Sequence, residues 1–265
     1  MAAFLQQTIE SALANLKPDD EYFIIDGGST DGSVEIIESY AGRITGWVSE
    51  KDEGYADALA KGFELASGDV LCWINAGDLL LPGAFDVARR VLQEEDADFI
   101  FGDDFYISED DRVISFSRGW VRSLRSAMLY GGWTPLQDAC FWTKDLYDRV
   151  GGINRELKYA ADFDLFLRFS MAGKVMYSPY AFSAFRKHFE QKSIANSIEY
   201  DKERKSVMSA AIKSDVSDVA TKKMFLKLYY WFYLRVRARV LHRLWDKKEF
   251  HGRSIKSISV IRTAE

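Results

Sequence analysis

Cysteine, histidine and proline are scarce in this chain of 265 residues, which holds two, three and four of them. Cys72, in Val-Leu-Cys-Trp, and Cys140, in Ala-Cys-Phe-Trp, are too few to staple a small secreted fold. Their apolar settings read as reduced core residues of a cytosolic protein, neither bridge nor metal site. Long hydrophobic runs are missing too: no stretch reaches 18 uncharged apolar residues, so no membrane-spanning helix is expected. The opening Met-Ala-Ala-Phe-Leu-Gln-Gln has neither a basic region nor an apolar core, so no signal peptide is expected. There is no Gly-x-Gly-x-x-Gly fingerprint and no Walker loop, which takes away the main signature of hydride and P-loop chemistry. Internal repeats and low-complexity linkers are absent as well.

What is present suits a folded chain with a substantial core. Hydrophobic residues make up 48%, charged residues 28% and aromatics 14%, which excludes a disordered or collagen-like polypeptide. The formal net charge of -5 conceals an asymmetry. Residues 222–265 carry 12 Lys/Arg against 3 Asp/Glu, leaving the preceding 221 residues with 23 basic and 37 acidic groups. An acidic body therefore carries a basic tail.

Hydrophobic spacing gives a strand–helix alternation in the first half. Strands are expected at 22–26, 45–49, 70–74 and 99–101, and helices at 33–41, 55–66 and from Pro82 to about Gln93. Residues 104–117 read as a hairpin. Short connections between such elements argue for a parallel sheet covered by helices, in which ligands bind beyond the carboxyl ends of the strands. Asp26 and Asp78 each stand at such an end. In the second half, helices are expected at 141–151, 161–172, 198–213 and 221–245, with a break at Ser178-Pro179-Tyr180.

Two loops carry candidate chemistry. In Asp26-Gly27-Gly28-Ser29-Thr30-Asp31-Gly32 the glycines permit a tight reversal that can offer backbone N–H groups to a polar ligand. Spacing alone favours a plain strand-to-helix turn there, with Asp31 or Ser33 as its cap. In Asn75-Ala76-Gly77-Asp78 a strand-end carboxylate is placed to hold a divalent metal that bridges phosphates, and a helix-capping turn is the simpler alternative.

Together these loops resemble the blocks of family 2 glycosyltransferases. Ile24-Ile25-Asp26-Gly27-Gly28-Ser29-Thr30-Asp31-Gly32-Ser33 is similar to the nucleotide-binding segment of that family. Glu50-Lys51-Asp52-Glu53-Gly54-Tyr55-Ala56-Asp57 resembles its next block, and Asn75-Ala76-Gly77-Asp78 stands where the family carries an Asp-x-Asp-type metal motif. Gln137-Asp138-Ala139-Cys140-Phe141 and Tyr159-Ala160-Ala161-Asp162-Phe163-Asp164-Leu165 resemble acceptor-side segments, and Phe185-Arg186-Lys187-His188 through Ser193 the closing motif.

The resemblance covers about residues 4–195. It implies an α/β GT-A-type fold: a Rossmann-like, mostly parallel sheet covered by helices. The domain would span 1–220, with 221–265 as a basic, aromatic helical extension. Relative to the family's usual opening, the sequence starts in the helix that follows the first strand, which implies a sheet lacking one central strand.

By the same resemblance the protein is an inverting glycosyltransferase, moving a sugar from a nucleotide-sugar donor to a hydroxyl of a growing, lipid-linked or free, glycan. Asp26, Gly28, Ser29, Asp52, Asp57, Asn75, Gly77 and Asp78 would hold the donor. Asp78, with His188 as a second candidate, would bind Mg2+ or Mn2+ at the diphosphate. Asp162 would be the catalytic base, and Gln137, Arg186 and His188 would meet the acceptor or the diphosphate. The chemistry is coherent: the metal offsets charge developing on the leaving diphosphate, and one carboxylate takes the proton of the attacking hydroxyl.

The competing reading is a degenerate, non-catalytic member acting as a binding or scaffold subunit. A nucleotidyltransferase would need a basic triphosphate loop that is not found, and nothing points specifically to the paired carboxylates of a glycoside hydrolase. Asp164 and Arg168 read as a surface ion pair, and Asp103-Asp104 as a solvated acidic turn. The 222–245 helix, basic and rich in Trp, Tyr and Phe, suits contact with an anionic membrane surface, with packing on the acidic body as the alternative. No nucleic-acid partner is expected, and the location expected is cytoplasmic, peripheral at the inner membrane face.

Overall fold

The computed structural model describes residues 1–188, 196–214, 226–233, 236 and 250–257. The first half alternates as the spacing expects: α1 (Ala2–Leu13), β1 (Phe23–Asp26), α2 (Ser33–Ser39), β2 (Gly46–Ser49), α3 (Tyr55–Leu65) and β3 (Val70–Leu71). There follow β4 (Leu79–Leu80), α4 (Ala84–Glu94), β5 (Phe99–Ile107), β6 (Val113–Ser117) and α5 (Leu124–Gly131). A 3-10 turn (Gln137–Ala139) leads into β7 (Cys140–Thr143), α6 (Lys144–Arg149), α7 (Ala161–Ala172), β8 (Val175–Arg186) and α8 (Ser197–Ser214).

The chain is α/β, but its strands are not mostly parallel. β1 pairs with β2 in a parallel sheet of two. The larger sheet has the order β3-β7-β5-β8-β4, with β6 added to β5, and only its β5–β8 pairing is parallel. The antiparallel partners β7 and β8 come from the second half of the chain, and β7 lies where spacing suggested helix. The 141–151 helix is in fact β7 followed by the short α6. Its aromatic residues alternate between faces: Phe141 meets Phe85 and Phe182, whereas Trp142 meets Trp73 and Phe169. Period-two burial on both faces selects a strand.

Two more expectations change for a similar reason. β5 does not stop at Phe101 but runs to Ile107, carrying Asp103 and Asp104 into the interior at 4% and 1% exposure. Residues 178–180 do not break the chain. They form a bulge inside β8, where the register with β5 jumps from Phe101↔Tyr177 to Asp103↔Ala181. The bulge gives Pro179 an exposed position in a strand otherwise unable to use its missing N–H.

Helices cover both faces of the large sheet. α3, α5 and α7 pack one face around Phe63, Trp73, Phe99, Trp142, Phe166 and Phe169. α1 and α4 pack the other through Ala12, Ala84, Ala88 and Leu92. Of the expected 221–245 helix, residues 226–233 and 236 are helical, and the rest lie outside the described residues. Leu226, Tyr230 and Tyr233 rest on the α3–α5–α7 core, while Leu228, Trp231 and Phe232 are exposed.

Candidate active site

The turn after β1 is held by its own carboxylate. Asp26 Oδ2 accepts from Gly28 N at 3.0 Å, Ser29 N at 2.9 Å and Ser49 Oγ at 2.7 Å. Burial pushes the Asp26 pKa up, but the hydrogen bonds from Ser29, Ser49 and Gly28 outweigh it and leave the group below its usual range. The backbone N–H groups of Gly28 and Ser29 thus point at Asp26. The neighbouring loop presses close: a Cβ at Gly27 would overlap Asp52 Oδ2, so only glycine admits that carboxylate beside the turn. The cap of α2 is Gly32, not Asp31 or Ser33 as expected; Asp31 instead accepts from Ser33 at the start of α2, from Ala2 N and from the chain's amino terminus.

Asp57 lies apart from this cluster. It sits in the first turn of α3, bridged to Lys61 at 3.1 Å, with Arg155 at 3.9 Å, and Lys61 also pairs with Glu50. Bonding to Lys61 foremost, then to the Glu53 backbone, holds the Asp57 pKa down.

The turn after β3 is fixed to α1. Thr8 Oγ1 donates to the Asp78 carbonyl at 2.8 Å and accepts from Gly77 N at 2.9 Å, and Gly77 takes φ +111°, which a side chain would resist. Asp78 is 4% exposed, and its Oδ1 accepts from Arg186 N at 2.9 Å. Burial, reinforced by the charge of Asp138, pushes its pKa well above the usual carboxylate range.

Arg186 is therefore not a ligand-facing group. It is fully buried, with Nε on the Gly77 carbonyl, Nη1 on Ser108, Glu109 and Asp111, Nη2 on Gln7, and its guanidinium over the Phe4 ring. It locks the Asp78 turn to α1 and to the β5–β6 connection. His188 follows it, its ring tilted by 41° against Phe4 with the centroids 6.0 Å apart.

Asp162 opens α7, where a carboxylate favours the positive helix end. Its Oδ1 accepts from Phe163 N at 2.7 Å, and the Tyr200 hydroxyl of α8 also donates to it. Burial raises its pKa to about 6, against those two hydrogen bonds. Glu203, one turn after Tyr200, accepts from the backbone N–H groups of Lys158, Tyr159 and Ala160 at 2.8–3.1 Å, holding the loop that enters α7.

Tyr55 links the two carboxylates. Its hydroxyl accepts from Trp73 Nε1 at 2.9 Å and bonds with Asn75. Burial first, and the charges of both Asp162 and Asp78, push its pKa up. Tyr55, Tyr200 and Glu203 escaped sequence reasoning as site residues. Tyr55 did lie inside a quoted block, whereas Tyr200 and Glu203 carry no local signal because their partners are about 40 residues away.

Behind Asp78 lies a buried acidic group. Asp104 takes a hydrogen bond from Ser183, and burial raises both Asp104 and Asp138, which are 1% exposed. Gln137 is 7% exposed, with its Nε2 unpaired. Asp103 accepts from Gly119 N and the Tyr177 hydroxyl, a structural role in place of the solvated turn expected. Asp164 and Arg168 are no surface pair either: Asp164 is 9% exposed, and Arg168 also donates to the Val150 carbonyl, tying α7 to the end of α6.

Among the described residues no three His, Cys, Asp or Glu side chains converge on a metal position, and no helix is long and apolar enough to cross a membrane. Mg2+ can also be held by a single carboxylate, with substrate phosphates and water completing the shell, and Asp78 is the candidate for that arrangement.

Comparison with known proteins gives the family and the fold. The chain is similar to a glycosyltransferase of PGL/p-HBAD biosynthesis from Mycobacterium tuberculosis, 26% identical over 173 residues, 63% of this chain and 65% of that one. A chondroitin synthase of Pasteurella multocida is 25% identical over 181 residues, 65% of this chain but 18% of the relative. The chain thus spans less than two thirds of these relatives. Among solved structures, Staphylococcus aureus TarS 1-349 in complex with UDP-GlcNAc superposes with a TM-score of 0.66 at 15% identity, over 93% of this chain and 75% of that one. A mannosyltransferase from Pyrobaculum calidifontis in complex with GDP-Man and Mn2+ gives 0.61 at 15% identity, over 87% and 66%. These neighbours establish the GT-A fold. The glycosyl transferase family 2 profile matches residues 2–149, more than half of the sequence, and the chain belongs to that family.

Proposed function

We propose that the protein transfers a sugar from a nucleotide-sugar donor to an acceptor hydroxyl in one displacement, with inversion. The observation that carries this reading is the pair of carboxylates, Asp78 immediately before β4 and Asp162 at the start of α7, whose charges both reach the Tyr55 hydroxyl. Asp26 and Asp52 shape the loops beside them, where the nucleoside would lie. Asp78 would hold Mg2+ or Mn2+, which when bound offsets the charge of the leaving diphosphate. Asp162 takes the proton of the attacking hydroxyl, and a pKa near 6 leaves it mostly ionised yet basic at neutral pH. Tyr200 and Glu203 are positioning residues for it. The Mn2+ complex of the mannosyltransferase and the UDP-GlcNAc complex of TarS support the donor and metal classes.

The acceptor is a glycan hydroxyl, lipid-linked in the form we favour. Exposed Leu228, Trp231 and Phe232 support contact between residues 226–233 and a membrane surface carrying such an acceptor.

Melting temperature with UDP, GDP and dTDP, each with and without Mn2+, tests the donor half of this reading, since a ligand of the folded state raises Tm by mass action. One nucleotide should raise it in a metal-dependent way, and Asp78→Ala should abolish the rise. No shift with any of the three in a folded sample would favour the non-catalytic alternative.

A further inference from the structure

The hydroxyl of Tyr55 is held on two sides and keeps its own hydrogen for a third. Trp73 is fixed by packing: its ring stacks on Phe166 with centroids 5.6 Å apart and meets the edge of Trp142 at 5.3 Å. That packing sets its indole N–H, which can only donate, 2.9 Å from the Tyr55 oxygen. Asn75, two residues further along the chain, bonds the same hydroxyl. Burial dominates the Tyr55 pKa and raises it, whereas the bond with Asn75 lowers it. Lowering is the effect of an N–H donated to the phenol oxygen, because it favours the phenolate; a bond accepted from the phenol would act the other way. Both neighbours therefore donate, and what Tyr55 has left to offer is its O–H.

Among the described residues neither carboxylate of the site takes that hydrogen. Asp162 accepts from Phe163 N and the Tyr200 hydroxyl, and Asp78 accepts from Arg186 N. Both reach Tyr55 by charge alone, Asp162 more strongly than Asp78.

We propose that the Tyr55 O–H donates to an oxygen of the sugar being transferred. That role rests on the roles given to Asp78 and Asp162. In a single displacement the anomeric carbon lies between the departing diphosphate, on the Asp78 side, and the attacking hydroxyl, on the Asp162 side. A group that both charges reach borders that interval. Its one hydrogen suits the neutral hydroxyl and ring oxygens of a hexose, while the charged diphosphate is the partner of the metal side. Burial also keeps the phenol protonated, so Tyr55 stays a donor throughout, transfers no proton and does not compete with Asp162 for the proton of the acceptor. Trp73 and Asn75 are positioning residues for this hydroxyl. Asn75, expected to hold the donor, then acts through Tyr55.

Tyr55→Phe tests the role, since it removes the hydroxyl and keeps the ring. Affinities would be read by Tm titration in Mn2+ with UDP, GDP and dTDP and with their hexose conjugates. For the conjugate that best stabilises the native chain, Tyr55→Phe should weaken binding or lower kcat/KM about tenfold, with affinity for the parent nucleotide unchanged. Trp73→Phe, which drops the orienting N–H, should give a smaller loss of the same kind. A merely structural role would weaken nucleotide and conjugate together. Equal weakening of the two, or native affinity and turnover with the conjugate in Tyr55→Phe, would overturn the role of Tyr55 and leave the donor reading standing. A folded native chain that responds to no nucleotide and no conjugate would overturn both.

Discussion

The two carboxylates of the site rest on different kinds of structure. Asp162 grows out of a packed interior: Trp142, Phe163, Phe166 and Phe169 are all buried to below 2% exposure, with the ring centroids of Trp142, Phe166 and Phe169 5.4–6.3 Å apart. The donor side is built from short strands. All four residues of β2 are only half-buried, β1 is half-buried at alternate positions, and one edge of β1 meets a cavity. There the loops are fixed by hydrogen bonds to their own carboxylates. The base is thus placed by packing and the donor loops by polar contacts, so the two sides should fail differently.

The largest expected effect is on the packed side. Trp142→Ala should lower the unfolding free energy by about 3–5 kcal/mol, measured by denaturant melting. Arg186→Met should cost about as much, ~3–5 kcal/mol, because it strands Asp111 and several carbonyls. Its loss should also weaken metal-dependent nucleotide binding, since the Arg186 guanidinium holds the Gly77 carbonyl of the turn that carries Asp78. On the polar side, Asp26→Ala should cost only about 1–3 kcal/mol but reduce nucleotide-induced stabilisation. Equal stability losses from Trp142→Ala and Asp26→Ala would erase the comparison.

Two smaller effects sharpen it. The hydroxyl of Tyr200 lowers the Asp162 pKa, so Tyr200→Phe should raise that pKa above about 6 and move the acid limb of kcat/KM to higher pH. The buried carboxyls of Asp78, Asp104 and Asp138 are raised above their unfolded values. The folded state then binds more protons, so stability should fall as pH rises from 3.8 to about 7, the value of Asp138. Asp138→Asn should flatten that fall and raise Tm at pH 8 by a few degrees.

The same division explains what the sequence disclosed. α7 was legible to the residue, 161–172, because its apolar spacing faces one core and its acidic first turn marks its start. α3 and α8 were legible within one residue at each end for the same reason. β7 was misread because Cys140-Phe141-Trp142 is buried on both faces, and a short apolar run has no period to distinguish it from helix. Asp103 and Asp104 looked solvated because their partners, Tyr177 and Ser183, belong to a strand some 75 residues on. Arg186 sat in a recognisable block, but its burial depends on α1 and the β5–β6 connection, contacts that local sequence does not encode.

The central claim is that Asp162 removes the acceptor proton while the Asp78 side holds the donor. Sugar transfer by Asp162→Asn, with the nucleotide-sugar that stabilises the native chain, tests it most directly. We predict a loss of about 10²–10⁴-fold in kcat with donor-induced stabilisation unchanged. Turnover within a few-fold of the native enzyme would contradict the account.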